Sequence, residues 1–208
     1  MRERQPSLRE RQRFETRRVI QAQAIRLFTN RGYDAVTVAD VAEAAGVSAM
    51  TVYRHFPTKE DLVLIEQPAR LIAERVAASS ATQPLVLRVG GALVDAARAL
   101  TGGDGDAPEA SERFLLDCLR LMVSTPALRA RHLDSQYALQ QAIVDALGVD
   151  TTDPDAAFRA QAATSACLAV MHTALTRWAQ DDGQTKLPAL IERALTASFG
   201  DVATGQGD

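Results

Sequence analysis

Residues 37–56 read TVADVAEAAGVSAMTVYRHF, and this stretch decides the fold. Thr37 is a helix N-cap type whose hydroxyl can accept from a free amide of the first turn, and Val38, Val41 and Ala42 follow at helical spacing. Gly46 interrupts the pattern where the backbone must turn left-handed, and Val47 supplies an apolar plug beneath it. Ser48 is a second cap, opening a segment from Ala49 to His55 whose Val52 faces back towards Val38 and Val41. Pro57 stops that segment, because it has no N–H to continue a helix. Ala42 is small where two crossing backbones come closest. The pattern is that of a helix-turn-helix.

Working outward, a preceding helix is predicted from about Arg13 to Asn30, with Ile20, Ala24, Leu27 and Phe28 on one face. Arg31-Gly32 ends it and Tyr33 folds back as an apolar plug. Phe56 reads as core. On the other side Thr58-Lys59-Glu60-Asp61 predicts the capped start of a fourth helix, with Leu62, Ile65, Ala69, Ile72 and Val76 as its stripe. Pro68 interrupts that stripe and predicts a kink near Glu66-Gln67, either a hinge or a tolerated bend. Five more helices follow: Pro84 to Leu100, Glu109 to Val123, Pro126 to Leu147 closed by Gly148, Pro154 (capped by Asp153) to Gln180, and Lys186-Leu187-Pro188 to Phe199-Gly200. The loop 101–108 reads as flexible. The expected class is all-α with about nine helices. It divides into a disordered basic arm (1–12), a three-helix head (13–60), a helical body (61–200) and a disordered tail (201–208).

The 208 residues are 47% apolar and 24% charged, enough for a real core, which excludes a disordered chain. Apolar runs fall short of a membrane span, and residues 1–14 have no leader-like apolar stretch, so a cytoplasmic protein is expected. Cys118 and Cys167 form no CxxC pair, and with His172 they offer no metal-ligand spacing; neither metal nor cofactor is implied. The net charge of −3 divides into +4 over residues 1–60 and −7 over the remainder. A polyanion would meet the head. Chance clustering of arginines gives the same pattern.

In Ala24-x-x-Leu27-Phe28-x-x-x-Gly32-Tyr33, in Thr37-Val38-x-x-Val41-Ala42-x-x-Ala45-Gly46-Val47-Ser48, and in Thr51-Val52-Tyr53-Arg54-His55-Phe56-x-x-Lys59-Glu60-x-Leu62, the chain resembles the TetR/AcrR-type transcriptional regulators. The likeness covers about residues 13–65; beyond them only the helical layout and length are similar. It implies a homodimeric repressor with an N-terminal DNA-binding domain and a C-terminal ligand-binding and dimerisation domain. Ser48 and Ala49 then open the recognition helix, and Ala49 and Met50 can touch only apolar groups such as a thymine methyl. Thr51 could reach a phosphate or a base edge. Arg54 either pairs with guanine or clamps a phosphate. Tyr53, His55 and Lys59 resemble the family's phosphate contacts, and Thr37 can offer its hydroxyl and amide to another phosphate. The arginines 2, 4, 9, 11, 13, 17 and 18 either reach extra phosphates or a minor groove, or simply keep the terminus soluble.

In the body, polar residues on apolar helices are candidate pocket groups: Arg113, Asp117, Arg120, His132, Tyr137, His172 and Trp178. A low-pKa thiolate sensor at Cys118 or Cys167 is a weaker reading. The resemblance places the dimer interface on the last two helices, burying Leu168, Leu175, Leu190, Ile191 and Leu195 between protomers. An ordinary core helix explains the same leucines. Arg54-His55-Phe56-Pro57 also resembles the branch holding acyl-CoA-like or other hydrophobic effectors. The partners expected are double-stranded DNA, a second copy and a small-molecule effector, with no membrane. The competing classes are an all-α enzyme using a buried His or Cys, and a helical interaction module that no longer binds DNA.

Overall fold

The computed structural model of the chain describes residues 7–64, 69–102, 108–150 and 152–200. Among them the regular structure is helical throughout, without a strand. Helix α1 (Leu8–Arg31) starts earlier than the expected Arg13. Ser7 and Glu10 form a capping box: Ser7 Oγ accepts from the Glu10 amide at 3.3 Å and Glu10 Oε2 accepts from the Ser7 amide at 2.7 Å. Residues 8–12 of the expected disordered arm are therefore helix, while residues 1–6 lie outside the described residues.

Helix α2 (Val38–Ala44) and α3 (Ala49–His55) complete the head, capped by Thr37 and Ser48. Gly46 has φ +66°, a left-handed value that any Cβ would strain, and the Val47 amide reaches back to the Ala42 carbonyl at 3.0 Å. The single helix expected from Thr58 does not form. Glu60–Leu62 is one 3-10 turn, and α4 runs Ala69–Ala78. Pro68 between them has no N–H to give a continuous helix. The expected kink at Glu66-Gln67 and the Pro68 hinge lie outside the described residues, as do residues 103–107 of the loop and the tail 201–208.

The other helices follow the sequence signals: α5 (Leu85–Leu100), α6 (Pro108–Ser124), α7 (Pro126–Leu147), α8 (Pro154–Gln180) and α9 (Leu187–Phe199). Pro84 is the N-cap of α5 rather than its first residue. Gly148 is left-handed after α7, and the Asp153 carboxylate accepts from the Asp155 amide at the start of α8.

Two cores result. The head core gathers Ile20, Ala24, Leu27 and Phe28 of α1 with Val41, Val52, Phe56 and Leu62, and it includes Cys118 of α6 and Leu128 of α7. The body thus supplies part of the head's interior. The body core centres on Cys167, Leu168, Met171, Leu175 and Trp178 of α8, packed by Leu93, Leu139, Ile143, Ile191 and Leu195. Each such large side chain contributes about 1.5–3 kcal/mol of burial.

This packing corrects the expected interface. Leu168, Leu175, Ile191 and Leu195 are at most 7% exposed within one protomer, so they are spent on its own core. Leu190 alone of the five stays partly open, in a groove of about 1060 Å³ between α5, α8 and α9. At Gly90 α5 and α9 approach closely: a Cβ there would lie 3.0 Å from Leu195 Cδ1, whereas at Gly91 it would meet open space.

Arg88 of α5 is buried at 7% exposure. Its Nε donates to Ser79 Oγ at 2.9 Å, and Nη2 donates to the carbonyls of Val76 at 3.4 Å and Leu147 at 3.2 Å. Both carbonyls belong to helix C-termini, α4 and α7, whose negative dipole ends offset the cation.

Candidate nucleic-acid interface

Helix α3 is held by one side and offered by the other. Val52 is fully buried, while Met50 is 76% and Tyr53 49% exposed, with Ala49 and Arg54 also in solvent. The Ser48 hydroxyl accepts the Thr51 amide at 3.1 Å and lies 3.0 Å from the Thr51 hydroxyl, which fixes the first turn of α3. The side chains at its N-terminal end therefore project from a rigid helix towards any duplex laid against it.

Three expected contacts are already engaged within the protein. The Thr37 hydroxyl and amide both donate to Asp40 Oδ2, at 2.6 and 2.7 Å, so neither is presented to a phosphate. These bonds hold the Asp40 carboxyl below the usual carboxylate range. His55 is 9% exposed, tucked against α1, where Arg17 donates to its carbonyl at 2.6 Å. Burial, then the charges of Arg54, Arg13 and Arg17, lower its pKa. Lys59 Nζ donates to the Tyr33 carbonyl at 2.6 Å and lies 4.3 Å from the Tyr33 ring centroid, clamping the α1–α2 connection. The Tyr33 hydroxyl completes the clamp by donating to Glu60 at 3.0 Å.

Of the arm arginines, the structure brings Arg9 and Arg13 to α3, and with them stand Gln12 and Thr16, to which sequence reasoning did not point. Arg9, Gln12, Arg13 and Thr16 of α1 face Val47, Thr51, Arg54 and His55 across a cleft of about 720 Å³. The i,i+3 and i,i+4 spacing of these α1 residues was the available signal, and it could be used only once residues 8–12 were known to be helical.

The seven pocket candidates do not converge. Arg113 and Tyr137 are exposed, and Arg120 pairs at the surface with Asp117 at 3.5 Å and with Asp182. Trp178 is fully buried, its indole donating to the Thr185 carbonyl at 2.8 Å. His132 and His172 do meet, stacked with ring centroids 5.6 Å apart. Burial and then His172 push the pKa of His132 down to about 4. His132 also lines a small cavity of about 50 Å³ with Cys118, Met122 and Leu175, and Val63 and Leu64 close it from below the head. Both cysteines are buried, and burial raises Cys118 well above an ordinary thiol and pushes Cys167 up to about 12, so neither is presented as an exposed thiolate. Among the described residues no cluster of three or more His, Cys, Asp or Glu could hold a metal, and no helix is long and apolar enough to cross a membrane.

Residues 20–64 match the family described as bacterial regulatory proteins, tetR family, and residues 98–199 match the MftR C-terminal domain. The HTH-type transcriptional regulator TcmR of Streptomyces glaucescens is 32% identical over 154 residues, spanning 71% of this chain and 67% of that protein. Among solved structures, native NalD of Pseudomonas aeruginosa, the secondary repressor of the MexAB-OprM efflux pump, has 20% identity, covers 90% of this chain and 97% of that one, and superposes with a TM-score of 0.59. FadR of Bacillus subtilis, in complex with stearoyl-CoA, has 18% identity, covers 88% and 98%, and gives a TM-score of 0.55. Both share the fold. With a helix-turn-helix whose outer face is unobstructed, and a helical body that supplies part of the head's core, the chain belongs to the TetR family of DNA-binding transcriptional regulators.

Proposed function

We propose that this protein is a cytoplasmic homodimeric repressor that binds a palindromic operator and leaves it when a small hydrophobic effector enters the body. The exposed face of α3 carries this reading: Ala49, Met50, Tyr53 and Arg54 point outward from a helix anchored by Val52. Two such helices, one per protomer, would enter successive major grooves about 34–36 Å apart. Ala49 and Met50 supply apolar contact, and Arg54 the strongest hydrogen-bonding head on the helix. The dimer would form on the outer face of α8, where Phe158, Ala162, Ser165, Ala169 and Thr173 are exposed at helical spacing, rather than on the buried leucines.

The effector site would open from the cavity lined by His132, whose ring stacks on His172. Its 50 Å³ holds one or two waters, so an acyl chain enters only by displacing the lining. Val63 and Leu64 belong to that lining and follow directly on the head, so displacement there moves the reading helices. The stearoyl-CoA bound by the Bacillus subtilis relative of like fold supports an acyl-CoA-like effector. An enzyme is the weaker reading, because His132 is buried against a second imidazole and the cysteines are held as thiols.

Selection of duplexes from a random library by the purified protein, followed by footprinting, tests the reading. The expected outcome is a palindrome with half-sites one helical turn apart, released on adding long-chain acyl-CoA. If a folded dimer enriches no sequence at low salt, the operator-binding repressor is refuted.

A further inference from the structure

Residues Leu8–Val19 of α1 project beyond the head core, which begins at Ile20. At 1.5 Å per residue this extension is about 18 Å long. Its charges are sorted by face. Glu10 is tied into the capping box with Ser7, and Glu15 pairs with Arg18 at 2.8 Å. Arg9 and Arg13, one turn apart, instead line the cleft opposite Thr51 and Arg54 of α3. No carboxylate lines that cleft, and among the described residues neither Arg9, Arg13 nor Arg54 forms an ion pair.

We infer that the α1 extension and α3 form the two walls of a cleft that grips the phosphodiester backbone of one DNA strand, with Arg9 and Arg13 as its phosphate ligands. This rests on the DNA-binding reading above and adds a site outside the helix-turn-helix. Its logic is electrostatic. Guanidinium groups with no carboxylate beside them keep their full attraction for phosphate and present donors in a planar fork. Gln12 and Thr16, on the same face of α1, add neutral donors to phosphate oxygens. The wall on α3 places this strand beside the groove that the recognition helix enters. The extension thus sets the depth and tilt of α3 without reading a base itself.

The test is the salt dependence of binding by the full-length protein, measured on its selected operator and on a scrambled duplex. Each phosphate contact contributes about 0.9 to the slope of log K against log salt. Because each substitution removes one contact from each of the two protomers, Arg9→Ala and Arg13→Ala should each flatten the slope by about 1.8, and the double variant by about 3.6. The loss should be equal on both duplexes, leaving their affinity ratio unchanged. Arg9→Lys/Arg13→Lys should restore most of the slope, since a lysine still supplies the point charge, and Arg18→Ala on the opposite face should leave it unaltered. Alanine favours helix, so circular dichroism should show α1 intact. A double variant with the wild-type slope overturns the cleft while the wild type still binds DNA. A loss confined to the operator, or to duplexes with A·T-rich flanks, overturns it in favour of base or minor-groove reading. A wild type that binds no duplex overturns both readings.

Discussion

Replacing Arg88 by methionine isolates how the body holds α4 and α7 together. The substitution keeps an unbranched apolar stem and removes the guanidinium that donates to Ser79, Val76 and Leu147. The Val76 carbonyl keeps other donors, the Ser79 amide at 3.2 Å and its hydroxyl at 2.5 Å. The Leu147 carbonyl, at the last residue of α7, loses its donor in a buried setting. A buried acceptor left unmet costs about 1–3 kcal/mol, and loss of a cation from two helix C-termini adds to it, partly offset because a buried charge is also removed. The net expectation is a destabilisation of about 2–3 kcal/mol. For a chain of this size that lowers Tm by about 5–10 °C, readable by far-UV circular dichroism during heating. Arg88→Lys should recover only part of the loss, because one ammonium cannot span three acceptors in a fork. A methionine variant melting within about 1 °C of wild type would show that solvent or backbone adjustment satisfies Leu147 and would refute the reasoning.

Other substitutions probe separate parts. Gly91→Ala should stabilise the protein by about 0.5–1 kcal/mol in urea unfolding, since its Cβ enters open space; Gly90→Ala should fall short of that gain because Leu195 must move. Lys59→Ala should lower stability by about 1–2 kcal/mol through loss of the bond to Tyr33, measured as a Tm shift without DNA. Equal Tm for variant and wild type would return Lys59 to a purely phosphate-binding role. Asp61 joins head and body through Arg131 at 3.1 Å. Burial alone would raise its pKa, but bonds from Thr58 and from Arg131 outweigh that and hold it below the ordinary value. Its contribution is complete above about pH 4 and is lost as pH falls through the lower folded value. Arg131→Gln should therefore reduce the loss of stability between about pH 4 and 2, seen as converging denaturant midpoints of variant and wild type.

Helix ends were legible where a residue has one physical use. Pro126, Gly148, Asp153-Pro154 and Gly200 marked the ends of α7, α8 and α9 because a missing N–H or a left-handed turn leaves few alternatives. The start of α1 was missed although Ser7 and Glu10 stand at capping-box spacing, because seven arginines in the first 18 residues read as a solvated arm. Periodicity told that Leu168, Leu175, Ile191 and Leu195 face something apolar, but a protomer core and a partner helix give the same pattern. The meeting of His132 with His172 depends on how α7 crosses α8, and no spacing within either helix encodes that. In the head the two caps and the turn of the helix-turn-helix were legible, whereas the engagement of Thr37 by Asp40 and of Lys59 by Tyr33 emerged only from the folded geometry.

The presence of Cys118 and Leu128 inside the head's core bears on how such regulators can be recombined. Cutting the chain after Leu64 and joining the first part to a foreign body would carry away a module with a gap in its interior. A working chimaera would have to bring matching residues on α6 and α7, so reading head and sensor are inherited as a fitted pair. Ala49, Met50 and Arg54 lie outside that fit, in solvent. Single substitutions on that face of α3 therefore leave the shared core intact, while exchange of whole domains meets a packing barrier.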